Sequence, residues 1–257
     1  MDTHPMLLVL ACVGSFCLAN SAHSQDFRVE ADVFVEDGGE SVSETLTLFK
    51  GDVVYDFFLK GPDETTMFDI NRGRIILLDG VRRVQTTLTT DQLLELSDAI
   101  RQRGAARGNQ PLFEPQITTN YAEQEKILTL TSDRLTYRAK GIDPKLPHAA
   151  ERFRQFADWY ARLNAIRPGN PPPFGRLELN GALAGHGLVP EEIERTVVLD
   201  RPLANKTLRA RSRHIFVWTL SSTDQKRIDK AGQNLAAFES VGLGQYWQAY
   251  TVAARDR

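Results

Sequence analysis

The chain has 257 residues, of which 42% are hydrophobic, 9% aromatic and 25% charged, with a formal net charge of −2. This near-average composition excludes disordered, collagen-like, coiled-coil and low-complexity classes. The near-neutral balance also removes the strongest sequence argument for nucleic-acid binding, an overall basic excess or a dense basic stripe.

Met6 to Ala19 is an uncharged apolar run followed by Asn20-Ser21-Ala22-His23-Ser24. It has the length of a signal-peptide hydrophobic region and is too short for a comfortable membrane span. Residues 1–24 therefore read as an export signal cleaved after Ser24, with Ser21 and Ala22 as fallback sites. The competing readings are a buried N-terminal helix and an uncleaved anchor; a lipidation motif at Val9-Leu10-Ala11-Cys12 would leave only a very short segment ahead of its cysteine. Cys12 and Cys17 both lie in this segment, so the mature chain is expected to lack disulfides, thiolate metal sites and cysteine nucleophiles.

Residues 25–257 are read as one α+β domain, secreted or periplasmic, with no transmembrane segment after cleavage. Phe27, Val29, Ala31, Val33 and Val35 alternate with polar residues at the period of a half-buried strand. Further strands are predicted at Val42–Phe49, Val53–Leu59, Thr66–Ile70, Arg74–Leu78 and Val81–Leu88, separated by short turns rich in Gly, Asp and Asn. Connections this short favour antiparallel hairpins, because parallel crossovers need a dozen residues or more. Thr89 and Gln92 form a capping box, and Leu93, Leu96 and Ile100 carry a helix to Gly104. Three strands follow at Ile117–Ala122, Lys126–Thr131 and Leu135–Ala139. A second helix at His148–Ile166 bears the stripe Phe153, Phe156, Ala157, Tyr160 and Leu163. Residues 168–173 are a Pro-rich connector. The sheet is expected to continue through Phe174–Leu179, Ile193–Leu199 and Lys206–Leu220, with Gly181–Gly187 as a flexible loop. A last helix opens at Ser222-Thr223-Asp224-Gln225, carries Ile228, Ala231, Leu235 and Phe238, and ends at Gly242-Leu243-Gly244. The expected fold is a curved antiparallel sheet, an incomplete barrel, packed with about three amphipathic helices.

No catalytic motif stands out. His148, His186 and His214 are widely spaced and fit no metal-binding pattern, and there is no nucleophile elbow or phosphate loop, so no cofactor or metal is assigned. Arg209, Arg211 and Arg213 alternate along one predicted strand face and are candidates for binding an anion bidentately, or else a charged outer face guarding the sheet. Asn205-Lys206-Thr207 is a glycosylation sequon of relevance only in a eukaryotic secretory pathway.

The succession Phe27–Val35, Val42–Phe49, Val53–Leu59, Thr66–Ile70 and Arg74–Leu78 resembles the opening strands of the periplasmic lipoprotein-carrier (LolA-like) superfamily. It is also similar to secreted bacterial proteins of no assigned activity. The carrier resemblance implies an incomplete barrel whose concave apolar side is covered by helices and takes up acyl chains. Phe57 and Phe58 project to opposite faces of their strand, so at least one is buried, and Phe153, Phe156 and Tyr160 supply a stripe to cover it. These five residues are the candidate ligand pocket. The expected function is an exported, non-enzymatic binding protein carrying a lipid or acylated ligand. The alternative is an exported hydrolase acting on envelope or extracellular polymers.

Overall fold

The computed structural model describes residues 26–36, 39–106, 110–167, 170–199 and 206–253. The export signal, the sequon asparagine and part of the Pro-rich connector lie outside these residues.

One open, curved sheet of 12 strands organises the molecule. Its first half is a meander of β1 (Phe27–Val35), β2 (Ser43–Lys50), β3 (Val53–Lys60), β4 (Glu64–Asp69), β5 (Arg74–Asp79) and β6 (Val84–Thr89). Its second half comprises β7 (Thr118–Ala122), β8 (Ile127–Thr131), β9 (Leu135–Ile142), β10 (Val189–Leu199) and β11 (Lys206–Val217). The halves join where β11 pairs antiparallel with β1, which gives the spatial order β12-β6-β5-β4-β3-β2-β1-β11-β10-β9-β8-β7. The short β12 (Glu239–Ser240) adds in parallel to β6 and caps that edge; every other pairing is antiparallel, as the short turns dictate.

The expected three helices become six among the described residues: α1 (Thr90–Ala106), α2 (Gln110–Phe113), α3 (Ala149–Ala165), α4 (Phe174–Gly185), α5 (Ser222–Ala237) and α6 (Leu243–Ala253). The capping box at Thr89 and Gln92 forms reciprocally, with bonds of 3.1 and 2.9 Å. The cap of α5 falls one residue earlier than its sequence suggests. Ser221 is the N-cap and Asp224 closes the box, because Asp224 is also drawn to Arg28 on β1, 3.1 Å away. Burial raises the Asp224 carboxyl, but bonds from the Ser221 backbone and hydroxyl, together with Arg28, outweigh this and hold it below the usual carboxylate range.

Three segments were expected otherwise. Phe174–Leu179 is not a strand, and Gly181–Gly187 is mostly not a loop: both belong to α4. Leu179 and Leu183, one turn apart, bury against Leu128, Leu135 and Ile193, and that contact outweighs the low helix propensity of the glycines. Gly175 permits the close approach, since a Cβ there would stand 2.2 Å from the Leu135 side chain. Leu243–Ala253 likewise continues as α6 beyond the expected helix stop, anchored by the fully buried Tyr246.

α3, α4 and α6 cover the concave face, whereas α5 covers the opposite face through Ile228, Ala231 and Phe238 packed on Leu46, Leu48 and Ile76. No helix among the described residues is long and apolar enough to cross a membrane.

Candidate functional site

The pairing register reads as rows of side chains across the concave face. The first row runs Phe27, Phe49, Val54, Phe68, Ile75 and Leu88 from strand to strand. It is fully apolar, and α3 packs onto it: Phe156 meets Phe49 and Phe68 edge-on, at ring separations of 5.6 and 5.2 Å. In the rows beyond, the side chains shrink. His214, Ala31, Thr45 and Phe58 make one row, and Ser212, Val33 and Ser43 the next. Large side chains close the first row into a packed core, while the small residues leave space under α3. The result is a cavity of about 460 Å³, within the range of small-molecule sites.

Four of the five aromatic candidates line this cavity: Phe58 from the sheet, and Phe153, Phe156 and Tyr160 from α3. Phe57 does not. Strand alternation sends it to the opposite face, where it packs with Met67 and Phe238 beneath α5. A cleft of about 600 Å³ on that side is edged by the exposed cations Arg83, Lys226, Arg227 and Lys230. The concave cavity instead concentrates buried polar groups.

Sequence reasoning did not single those groups out. Asp56, 2% exposed, is the cavity-facing acid of β3; its Oδ1 accepts the Thr47 hydroxyl at 2.7 Å, and its Oδ2 is buried with no hydrogen-bond partner among the described residues. Burial, opposed by the Thr47 bond and by Arg167, pushes its pKa up to about 7. Burial, with the Asp56 carboxyl nearby, also keeps the Tyr160 phenol firmly protonated. Arg167 pairs with the fully buried Glu64, which also accepts the Tyr246 hydroxyl at 3.1 Å. The signal for Asp56 was available: a single acid inside Val53–Leu59, with the same parity as Phe58.

His214, which fits no sequence motif, lines the cavity opposite Ala31, and its Nδ1 is buried with no hydrogen-bond partner among the described residues. Burial, reinforced by nearby Arg176, lowers its pKa to about 3, so the imidazole is neutral at ordinary pH. Arg176, at the start of α4, donates from Nε to Asn180 Oδ1 at 2.9 Å, and Asn180 in turn donates to Asp158 at 2.9 Å. Arg195 on β10 faces the same space, beside Tyr137 and Ala210.

Arg209, Arg211 and Arg213 do share one strand face, but it is the outer one. Arg211 and Arg213 stack over Phe34 at 4.9 and 5.0 Å. Across the sheet Arg213 lies between Asp32 and Glu192, and Arg211 lies beside Glu194 and 3.7 Å from Glu192. These glutamates offset the arginines within the sheet. Arg209 is exposed opposite Thr196.

Among the described residues no group of three or more His, Cys, Asp or Glu side chains is placed to hold a metal ion. No protein-family model matches this chain, and no curated protein matches it.

Proposed function

We propose that this is an exported, non-enzymatic binding protein whose concave cavity takes up an acyl chain or a similar apolar ligand. The observation that carries the reading is the change from large to small side chains across the sheet. Phe49 and Phe68 give way to Thr45, Ala31 and Ser212, which leaves a gap beneath Phe153, Phe156 and Tyr160 instead of a closed core. A space of about 460 Å³ flanked by aromatic rings has the size and lining of a small-ligand site. Each buried methylene contributes about 0.8 kcal/mol, so about ten would contribute roughly 8 kcal/mol before the cost of immobilising the chain. The hydrolase alternative draws no specific support from His214, whose Nδ1 has no hydrogen-bond partner among the described residues and so is not oriented by a carboxylate as in a triad.

Titration with dansylated undecanoic acid tests the cavity. Wild type is expected to bind it saturably, with enhanced dansyl emission. Ala31→Trp, which places an indole in the gap, is expected to abolish the signal without lowering the melting temperature. Saturable binding that survives the tryptophan would place the ligand elsewhere, and no binding at any chain length would leave the concave face a plain core.

Export is tested separately. N-terminal sequencing of the protein recovered outside the cytoplasm is expected to begin near Gln25, and recovery of a full-length chain carrying Met1 only in the cytoplasm would overturn it.

A further inference from the structure

Resting on the cavity reading above, we infer that the ligand carries an anionic head, a carboxylate or a phosphate, held by Arg176 and Arg195. The two arginines come from different elements, α4 and β10, and both line the cavity. Among the described residues neither forms an ion pair. Arg176 has one side-chain hydrogen bond among the described residues, from Nε to the neutral amide of Asn180, and none from its terminal nitrogens. Arg195 has none.

The contrast with the other cations around this space is the argument. Arg167, on the same cavity wall, is matched by Glu64. On the outer face of β11, Arg211 and Arg213 each lie beside a glutamate of β10. Arg176 and Arg195 instead share one largely apolar wall, and among the described residues no carboxylate pairs with either. A partly buried guanidinium costs free energy unless it is paired and hydrogen-bonded, and two neighbouring ones also repel. The Asp158 carboxylate offsets part of this cost for Arg176 at a distance, through Asn180, but pairs directly with neither arginine. A planar guanidinium presents paired donors that match a carboxylate or phosphate bidentately. Beyond the arginines, the wall continues through Ile193, Ala31 and Val29 to Phe156, the small and apolar path a chain would follow.

The test compares heads on one chain by calorimetric titration below the micellar concentration: dodecanoate, dodecyl phosphate and dodecanol. Hydrogen bonds to charged groups contribute about 1.5–3 kcal/mol, so wild type is expected to bind at least one anion roughly tenfold or more tightly than the alcohol. The anion that gains most identifies the head as carboxylate or phosphate. Arg176→Gln, which keeps a side chain able to reach Asn180, is expected to remove that preference, and Arg195→Gln to do the same. Equal binding of all three compounds by wild type would overturn the anionic head and leave the apolar cavity standing. Binding of none would overturn the cavity reading itself. The wild-type comparison needs no variant, so the inference stays open to refutation even if a substitution unfolds the protein.

Discussion

Arg167→Met is expected to destabilise the fold by about 3–5 kcal/mol, the usual penalty for stranding one partner of a buried ion pair. Glu64 is fully buried in β4 and bound by both Arg167 and the Tyr246 hydroxyl, so removing the guanidinium takes away its counter-charge. The pair also joins three separate parts of the chain: the end of α3, the sheet and α6, whose Trp247 ring lies 5.3 Å from the Arg167 guanidinium. Urea denaturation checks this through the midpoint. Combining Arg167→Met with Glu64→Gln is expected to recover much of the loss, because no bare charge then remains. A double variant no more stable than the single one would show that packing, not charge, is what Arg167 contributes.

The second large effect depends on pH and belongs to Asp56. Its folded-state pKa of about 7 lies above the unfolded value, so the native state holds the proton more tightly. The contribution is therefore fully present below about pH 4, declines as pH rises through the interval to about 7, and is flat above it. The total is on the order of 4 kcal/mol. Asp56→Asn keeps an acceptor for the Thr47 hydroxyl and cannot ionise. Relative to wild type, it is expected to gain stability steadily between pH 4 and 7. Parallel pH profiles for the two proteins would overturn this. As pH rises through about 7, folded wild type gains the negative charge of Asp56 on the cavity wall, so affinity for fatty-acid anions is expected to fall above pH 7, and to fall less in the asparagine variant.

What was legible in the sequence follows from the range of the forces involved. The first meander could be read because each strand is bounded by a turn whose residues act locally, and β1 to β6 lie within a few residues of their expected limits. The stripe on α3 was legible for the same reason, and it does face the cavity. α4 was misread because its glycines and the preceding prolines signal irregular structure, while the contact that decides it, Leu179 and Leu183 against β8 to β10, is made between distant parts of the chain. Arg176 vanished from consideration along with that helix. His214 and Arg195 acquire meaning only from the pairings of β11 with β1 and β10, which no local pattern displays. Phe57 and Phe58 show the limit of parity: alternation separates them correctly, but which face is concave depends on where α3 and α5 settle.

The seam between β1 and β11 sets an order of events during synthesis. Arg28 of β1 and Asp224 at the start of α5, just beyond β11, pair although they are 196 residues apart. At about 5–20 residues per second, β1 emerges from the ribosome roughly 10–40 s before the strand that will flank it. For that interval the first meander can form but ends in a bare strand edge, with the cavity's small side chains open on one side. Such an edge invites pairing with another chain, and charged side chains along it are the common safeguard. β1 carries Arg28, Glu30 and Asp32 at alternate positions, all on the face away from the cavity. Contacts of this separation also slow the final closure, since chain-closure entropy must be met before the pairing rewards it. The cavity wall is thus incomplete until β11 has been made, and a chain halted before β11 has most of its first core but not the cavity.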